Sequence, residues 1–213
     1  MSSVDRTRIR RLPERAVSDR EAIEAVLDEG LVCHVAYTAT DGRPVVIPTL
    51  YVRDGDRVLI HGSNSMGIAK AVRAGSPLSV AVTHLDGVVV ARSAFNSSAN
   101  YRSVVIHGYG RLLEPEEKAA AFDIIVDRLI PGRLAELRPS TESEIAQTSV
   151  IELALDEVSA KARAGGPGDD PEDLDADVWA GVVPMKVDFG EPIPDAGLRP
   201  GIRLPDYLRS YRR

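Results

Sequence analysis

Asp-Gly turns between short β-prone segments constrain the fold of this chain more than any other feature. Asp-Gly favours a tight hairpin turn because glycine accepts the positive φ that the turn requires. The predicted strands around these turns are Leu31–Tyr37, Val45–Val52, Arg57–His61, Leu78–His84 and Val88–Ala94, joined at Asp41-Gly42, Asp54-Gly55-Asp56 and Asp86-Gly87. Because hairpins join most of the strands, we predict a mainly β fold, an antiparallel barrel with flanking helices.

Two further strands complete the predicted sheet. Tyr101–Leu113 is a long strand in which Gly108 and Gly110 predict a bend or bulge, and Ser149–Leu155 is the other. Pro48 lies inside the second predicted strand, where it cannot donate a hydrogen bond to a neighbour. That strand is therefore predicted to lie at an edge or to be bulged there.

Helices are predicted from caps and from the spacing of apolar residues. Ser18 caps a helix that ends at Glu29, with Glu21 completing a capping box, and a short helix spans Met66–Ala74. A third helix opens at Glu114-Pro115, where proline suits the first turn. Its predicted apolar face carries Ala120, Ile124 and Leu129.

Charge and composition divide the chain into four parts and exclude several kinds of partner. We assign a basic N-terminal arm (residues 1–17), a barrel domain (18–163), an acidic loop (164–177), and a C-terminal strand with a wrapping tail (178–213) that ends in Arg209, Arg212 and Arg213. A net charge of −6 and 5% aromatic residues argue against nucleic-acid binding. With no membrane-length apolar run and a single cysteine, Cys33, that we place in the core, we expect a cytoplasmic protein without a membrane partner.

The segment His61-Gly62-Ser63-Asn64-Ser65 is the first candidate site, because it joins a strand to a helix. A bound phosphate needs backbone N–H donors, hydroxyls and a cation. Gly62 allows close approach of the backbone, Ser63 and Ser65 offer hydroxyls, and Lys70 supplies a cation one turn into the helix. The alternative is ordinary capping of the helix by Ser65.

Two polar stretches further along the chain are also candidates. In a strand, Tyr101 and Ser103 face one side and Arg102 faces the other, and the alternative is a solvent-facing loop. Lys161 and Arg163 share one face if they too lie in a strand. With Trp179 they could complete a pocket for an anionic ligand, or they could simply balance the acidic loop.

Histidines are scattered singly along the predicted strands, at His34, His61, His84 and His107. They lack the paired spacing of a zinc site, so no metal site is predicted. A single histidine can still ligate haem iron. The chain has no Gly-x-Ser-x-Gly elbow, which leaves serine hydrolase chemistry without support.

The order of these segments resembles the pyridoxamine 5′-phosphate oxidase-like split-barrel superfamily, and within it the flavin-nucleotide-binding group related to nitroimidazole-resistance proteins. The resemblance spans roughly Ser18 to Pro184. The residues that carry it are His61-Gly62-Ser63, Val82-Thr83-His84-Leu85-Asp86-Gly87, Ala91-Arg92-Ser93-Ala94-Phe95, Asn100-Tyr101-Arg102-Ser103-Val104-Val105 and Trp179-Ala180-Gly181-Val182-Val183-Pro184.

This resemblance implies a six-stranded antiparallel split β-barrel of the FMN-binding type, which forms a homodimer with FMN at the subunit interface. It implies phosphate contacts at the 61–70 segment and a flavin border along Tyr101, Arg102 and Ser103. Family members that oxidise the vitamin carry an Arg-Lys pair where this chain has Gly67-Ile68. Lys70 or Arg102 would then have to replace those cations, or FMN would bind weakly or not at all. Vitamin B6 oxidation is not expected, because the chain lacks a clear match to the C-terminal arginine–histidine pair of the true oxidases.

The resemblance also implies a function. We expect an FMN-dependent oxidoreductase that acts on a small electron-poor molecule such as a nitro-aromatic compound. His61 is the candidate proton donor near the ring, because its pKa type suits that role, and the alternative is that it simply packs at the strand end. Two alternatives stay open. The first is a non-catalytic module that binds or stores FMN or haem, and the second is a deazaflavin-dependent reductase.

Overall fold

The computed structural model describes residues 6–211, in which nine strands form one antiparallel sheet. The strands are β1 (Val32–Thr38), β2 (Pro44–Asp54), β3 (Arg57–Ser63), β4 (Leu78–Val90), β5 (Ser98–Gly108), β6 (Arg111–Leu112), β7 (Thr148–Ala154), β8 (Glu157–Arg163) and β9 (Gly181–Pro184). Their order is β6-β7-β3-β2-β1-β4-β5-β8, with β9 beside β4. The sheet curls into a half-barrel with flanking helices, so the prediction of a mainly β split barrel is confirmed.

The α-helices lie at the ends and on one outer flank of the barrel. They are α1 (Arg20–Glu29), α2 (Gly67–Arg73), α3 (Pro115–Leu129), α4 (Glu142–Gln147) and α5 (Asp206–Arg209). Within the described residues, no helix is both long and apolar enough to cross a membrane.

Apolar side chains on one face of the sheet fill the barrel. Val35, Val80, Val104 and Ile106 are fully buried there, at alternate positions along their strands, and α1 closes one end with Leu27. A second, smaller cluster lies under α3, where Leu59 and Val150 meet Ala121 and Ile125. Cys33 lies in the main core as predicted, and burial raises the pKa of its thiol to about 12.

Two details of the predicted helices are wrong. Asp19, not Ser18, caps α1, because its backbone is extended and its carboxylate accepts a hydrogen bond from Ala22 N at 3.0 Å. The buried face of α3 carries Ala121 and Ile125, whereas the predicted Ala120 is exposed. The other two predicted residues of that face, Ile124 and Leu129, are partly buried against the second cluster.

The predicted turn at Asp86-Gly87 is also wrong, because β4 runs unbroken through it. The register with β5 shifts between Leu85 and Gly87, which marks a β-bulge rather than a hairpin. A side chain at Gly87 would place its Cβ 2.9 Å from the backbone oxygen of Val183. Glycine is therefore needed here for the close approach of β9, not for a turn.

The predicted strand Tyr101–Leu113 is not continuous, because it breaks after Gly108, where a bend was predicted, into β5 and β6. The prediction for Pro48 is confirmed. β2 pairs with β1 up to Leu50 but with β3 only from Tyr51 onward, so Pro48 lies on an unpaired edge.

Both terminal segments attach to the barrel. In the N-terminal arm, Val17 N donates to Ala160 O at 2.9 Å, and Ala16 forms an isolated bridge with Lys161, so the arm runs along the free edge of β8. In the tail, Tyr211 donates from its hydroxyl to Leu129 O at 2.6 Å, which anchors the chain end to α3. Arg212 and Arg213 of the predicted basic C-terminus lie outside the described residues.

A buried hydrogen bond joins α1 to β2 and gives a first test of the fold. The Tyr51 hydroxyl donates to Leu27 O at 2.6 Å. We expect Tyr51→Phe to lower the free energy of unfolding by about 1–3 kcal/mol, because it leaves a buried carbonyl without its donor. The measurement is urea unfolding. Tyr109→Phe is the matched control, since Tyr109 is 67% exposed, and equal losses in both variants would contradict the assignment.

Candidate functional site

The strand-to-helix segment that the sequence singled out forms an exposed turn beside α2. Its hydroxyls are open to solvent, with Ser63 Oγ and Ser65 Oγ 2.9 Å apart, and Ser65 N donates to Ser63 Oγ at 3.3 Å. Lys70 is exposed on α2. The turn is shorter than predicted, because Gly62 and Ser63 extend β3 and pair with β7. Two hydroxyls and one cation can therefore approach an anionic group at this surface.

Asn64 in the same turn has a structural role that the sequence did not reveal. Its side-chain amide donates to Ala146 O at 2.7 Å and its Oδ1 accepts from Ser149 Oγ at 2.7 Å. Arg73 donates to Asn64 O at 3.1 Å and to Ser149 Oγ at 3.3 Å. These bonds fix the turn against β7 and use the guanidinium of Arg73, so Lys70 is the cation that α2 offers a ligand.

His61 and Gly62 lie just below the turn. The His61 ring is half-buried and meets Phe122 edge-on, with ring centroids 6.2 Å apart. Burial lowers the pKa of His61, so its imidazole is neutral at pH 7. A Cβ at Gly62 would lie 2.6 Å from Met66 Sδ, so the small residue makes room for a methionine side chain.

The second predicted group lies on the outer face of the sheet, the side of β1, β2, β4, β5 and β8 that points away from the core. Tyr101 pairs with Arg163 and Ser103 pairs with Lys161, so these four side chains share that face. β5 ends near α2 at Gly108, and Ser103 lies five residues before that end, which is about 17 Å along the strand. Within one chain the structure therefore does not bring this group to the exposed turn.

Both cations of this group already have partners. Lys161 donates from Nζ to Arg11 O at 2.8 Å. Arg163 donates to Gly166 O at 2.8 Å and to the side chain of Asn100. Trp179 is 65% exposed in the loop before β9. Lys161 thus holds the N-terminal arm, and Arg163 holds the start of the 164–177 loop.

Arg102 points to the opposite side of β5, into a charged cluster at the end of the barrel. It forms two hydrogen bonds with Glu29, at 2.5 and 2.9 Å, and two with Asp86, at 3.0 and 2.8 Å. These bonds lower the pKa of both carboxyl groups and raise that of Arg102. His84 completes the cluster, since its Nε2 lies 2.9 Å from Val26 O. The sequence did not predict this cluster, whose members come from three separate elements.

A cavity of about 540 Å³ opens beside the charged cluster, between the barrel end and the start of the tail. Arg102 and His84 line its polar side. Leu85, Met185 and Val187 line its apolar side.

The outer face around β1 is apolar and exposed, which the sequence analysis missed. Val32, Val46 and Leu50 are 46%, 61% and 45% exposed. His34 stands among them, pairing with Pro48 on β2 in the strand register. The signal was present in β1, where buried residues alternate with Val32, His34 and Ala36.

The chain is similar to one protein family and to several solved structures. Residues 19–162 match the family model of pyridoxamine 5′-phosphate oxidase. The flavocytochrome Anf3 from Azotobacter vinelandii is 38% identical, with a TM-score of 0.93 and coverage of 99% of this chain and 98% of that chain. The FAD and haem binding protein from Mycobacterium smegmatis is 41% identical, with a TM-score of 0.88 and coverage of 92% and 96%.

A more distant structure shares the fold alone. It is described as a 5-nitroimidazole antibiotic resistance protein from Bacteroides thetaiotaomicron, is 18% identical, and has a TM-score of 0.58 over 68% of this chain and 85% of that chain. No curated protein matches the chain.

The charged cluster predicts a pH-dependent contribution to stability. Glu29 and Asp86 have folded-state pKa values below their ordinary 4.5 and 3.8, so their contribution is complete above those values and is lost as the pH falls through the folded-state values. We expect Arg102→Gln to cost up to about 1 kcal/mol near neutral pH, because the pairs are partly exposed. Urea unfolding should show this difference from wild type shrinking as the solution is acidified.

Arg128→Gln is the matched control, since Arg128 is an exposed arginine on α3, away from the charged cluster. A difference between Arg102→Gln and wild type that stayed constant from neutral to acidic pH would contradict the assignment.

Proposed function

The chain belongs to the pyridoxamine 5′-phosphate oxidase family, and from this premise we propose that it is a redox protein that binds both a flavin and haem. The observation that carries the proposal is the likeness to Anf3 and the Mycobacterium smegmatis protein, which extends over 99% and 92% of this chain. One of them is a flavocytochrome and the other binds FAD and haem. The likeness therefore includes the tail and the N-terminal arm as well as the barrel.

The exposed turn is the proposed seat for the flavin's phosphate groups. Ser63 and Ser65 offer hydroxyls, and Lys70 is the cation, in place of Arg102, whose guanidinium is held by two carboxylates. Arg73 is also engaged. The seat is thus poor in positive charge, as the missing Arg-Lys pair at Gly67-Ile68 predicts.

This shortage of cations favours FAD over the FMN of the sequence-based expectation. The terminal phosphate of FMN is a monoester with a charge of about −1.5 to −2 at neutral pH, concentrated on one group. In FAD the charge is spread over two phosphates, and the adenosine adds apolar contacts that need no cation. The FAD-binding relative at 41% identity supports the same choice.

We place the flavin site between two copies of the chain. Ser103 lies about 17 Å, and Tyr101 about 24 Å, from the end of the sheet that carries the turn. A second copy that covered the outer face could bring its own turn near them. The exposed apolar residues Val32, Val46 and Leu50 support this, because soluble chains seldom leave such a patch open.

A bound flavin supplies one- and two-electron transfer. The chain's part is to hold the phosphates at the turn, to cover the ring with the outer face, and to keep a proton available. His61 suits the last task, because its neutral imidazole carries one N–H and one free nitrogen. Reduction of a small electron-poor molecule is the activity that fits these groups.

Spectroscopy of the purified protein tests cofactor binding. We expect flavin absorbance together with a Soret band, and heat release followed by mass spectrometry should identify FAD. FMN as the released flavin would contradict the FAD assignment alone, and a deazaflavin would contradict the flavin assignment as a whole. A protein that stayed colourless after incubation with FAD, FMN and haemin would overturn the proposal.

The phosphate seat has its own test. Lys70→Gln should weaken flavin affinity by roughly tenfold or more, because a charged hydrogen bond contributes about 1.5–3 kcal/mol. Titration followed by flavin fluorescence measures the change. Lys118→Gln, on α3, is the matched control and should bind flavin like wild type. Equal affinity in the Lys70 variant and the control would remove Lys70 from the site.

A further inference from the structure

The haem half of the proposed function leaves open which residue binds the iron. An axial ligand must offer a free imidazole nitrogen at a surface where a broad, flat, mostly apolar ring can lie. Four histidines are candidates, and their surroundings differ in the structure.

Two of them already use one ring nitrogen and lie among polar groups. His84 Nε2 lies 2.9 Å from Val26 O, and its Nδ1 lies 3.9 Å from Glu29 Oε1 in the charged cluster. His107 Nδ1 lies 2.8 Å from Ser79 Oγ. A macrocycle at His84 would meet two carboxylates and a guanidinium.

The other two lack a described hydrogen bond but differ in access. His61 is half-buried, with Phe122 of α3 against its ring, and it lies directly below the proposed phosphate seat. His34 is exposed in the middle of β1. Only His34 combines an exposed ring with a broad open surface in the described part of the chain.

The immediate neighbours of His34 on the outer face are uncharged and have short side chains. Its direct cross-strand neighbours are Pro48 on β2 and Ala81 on β4, and Val32 and Ala36 flank it along β1. None of these side chains is long enough to cover the imidazole. Uncharged neighbours of this kind suit a broad apolar ring laid over the imidazole.

Taller apolar side chains stand diagonally from His34 on the same face. Val46 and Leu50 of β2 are 61% and 45% exposed, so both can contact a ring held above the sheet.

We propose that His34 would bind the haem iron and that the apolar residues around it on the outer face, Val32, Val46, Pro48 and Leu50, would contact the porphyrin. This inference rests on the haem half of the proposed function. It also places haem on the face that the proposed second copy would cover.

Haemin titration of the full-length protein tests the assignment, with the Soret band and electron paramagnetic resonance as readouts. We expect His34→Ala to weaken haemin binding at least tenfold and to lose the histidine-ligated spectrum, and added imidazole should restore that spectrum. Flavin affinity, measured by fluorescence, should change less than the haemin affinity. His107→Ala is the matched control on the same face and should keep the wild-type spectrum.

The outcomes separate the two levels of the proposal. Wild type that binds no haemin overturns the haem half of the proposed function and this inference with it. Wild type that binds haemin, together with a His34→Ala variant of unchanged spectrum and affinity, overturns the inference alone. Loss of ligation in His61→Ala instead would move the ligand to His61. Should His34→Ala misfold by circular dichroism, His34→Gln serves in its place, with the same imidazole rescue.

Discussion

Side-chain alternation along β1 and β4 is the constraint on which the rest of the structure depends. Val35 and Val80 pair across β1 and β4, point into the barrel and are fully buried. The residues next to each of them along its own strand point outward. A register slip of one residue would move His34 into the core and expose the valines, so the pairing is strongly specified. The pairing of β1 with its neighbours therefore positions the outer-face residues as well as the core residues. The strand register thus fixes the position of the proposed cofactor surface together with that of the core.

Most positive charge near the candidate sites is already matched by acceptors of the chain. Arg102 is held by Glu29 and Asp86, Arg163 by backbone carbonyls, and Arg73 by the turn. What remains for an anionic ligand is Lys70 beside two exposed hydroxyls. Cofactor binding in such a chain must rely on apolar contact as much as on charge, and the exposed residues of β1 and β2 provide it.

The sequence predicted the fold better than the site, for physical reasons. Hairpin turns and alternating valines act locally, so the strands and the split barrel could be inferred. Asp86-Gly87 was wrongly predicted to be a turn, because glycine is required there by the close approach of β9 and not by the local backbone. The partners of Arg102 come from α1 and β4, and no local pattern links them. His34 could have been placed outward from the alternation in β1, but its apolar surroundings depend on strand pairing.

The attachment of the N-terminal arm to β8 has a consequence for the solution behaviour of the barrel. An edge strand presents unpaired N–H and C=O groups that can recruit a strand from another molecule, the first step of sheet-mediated aggregation. Here Val17 bonds to Ala160 and Lys161 reaches Arg11, so a stretch of that edge is occupied by the chain's own backbone. The arm thereby shields this stretch of the β8 edge from pairing with a strand of another molecule.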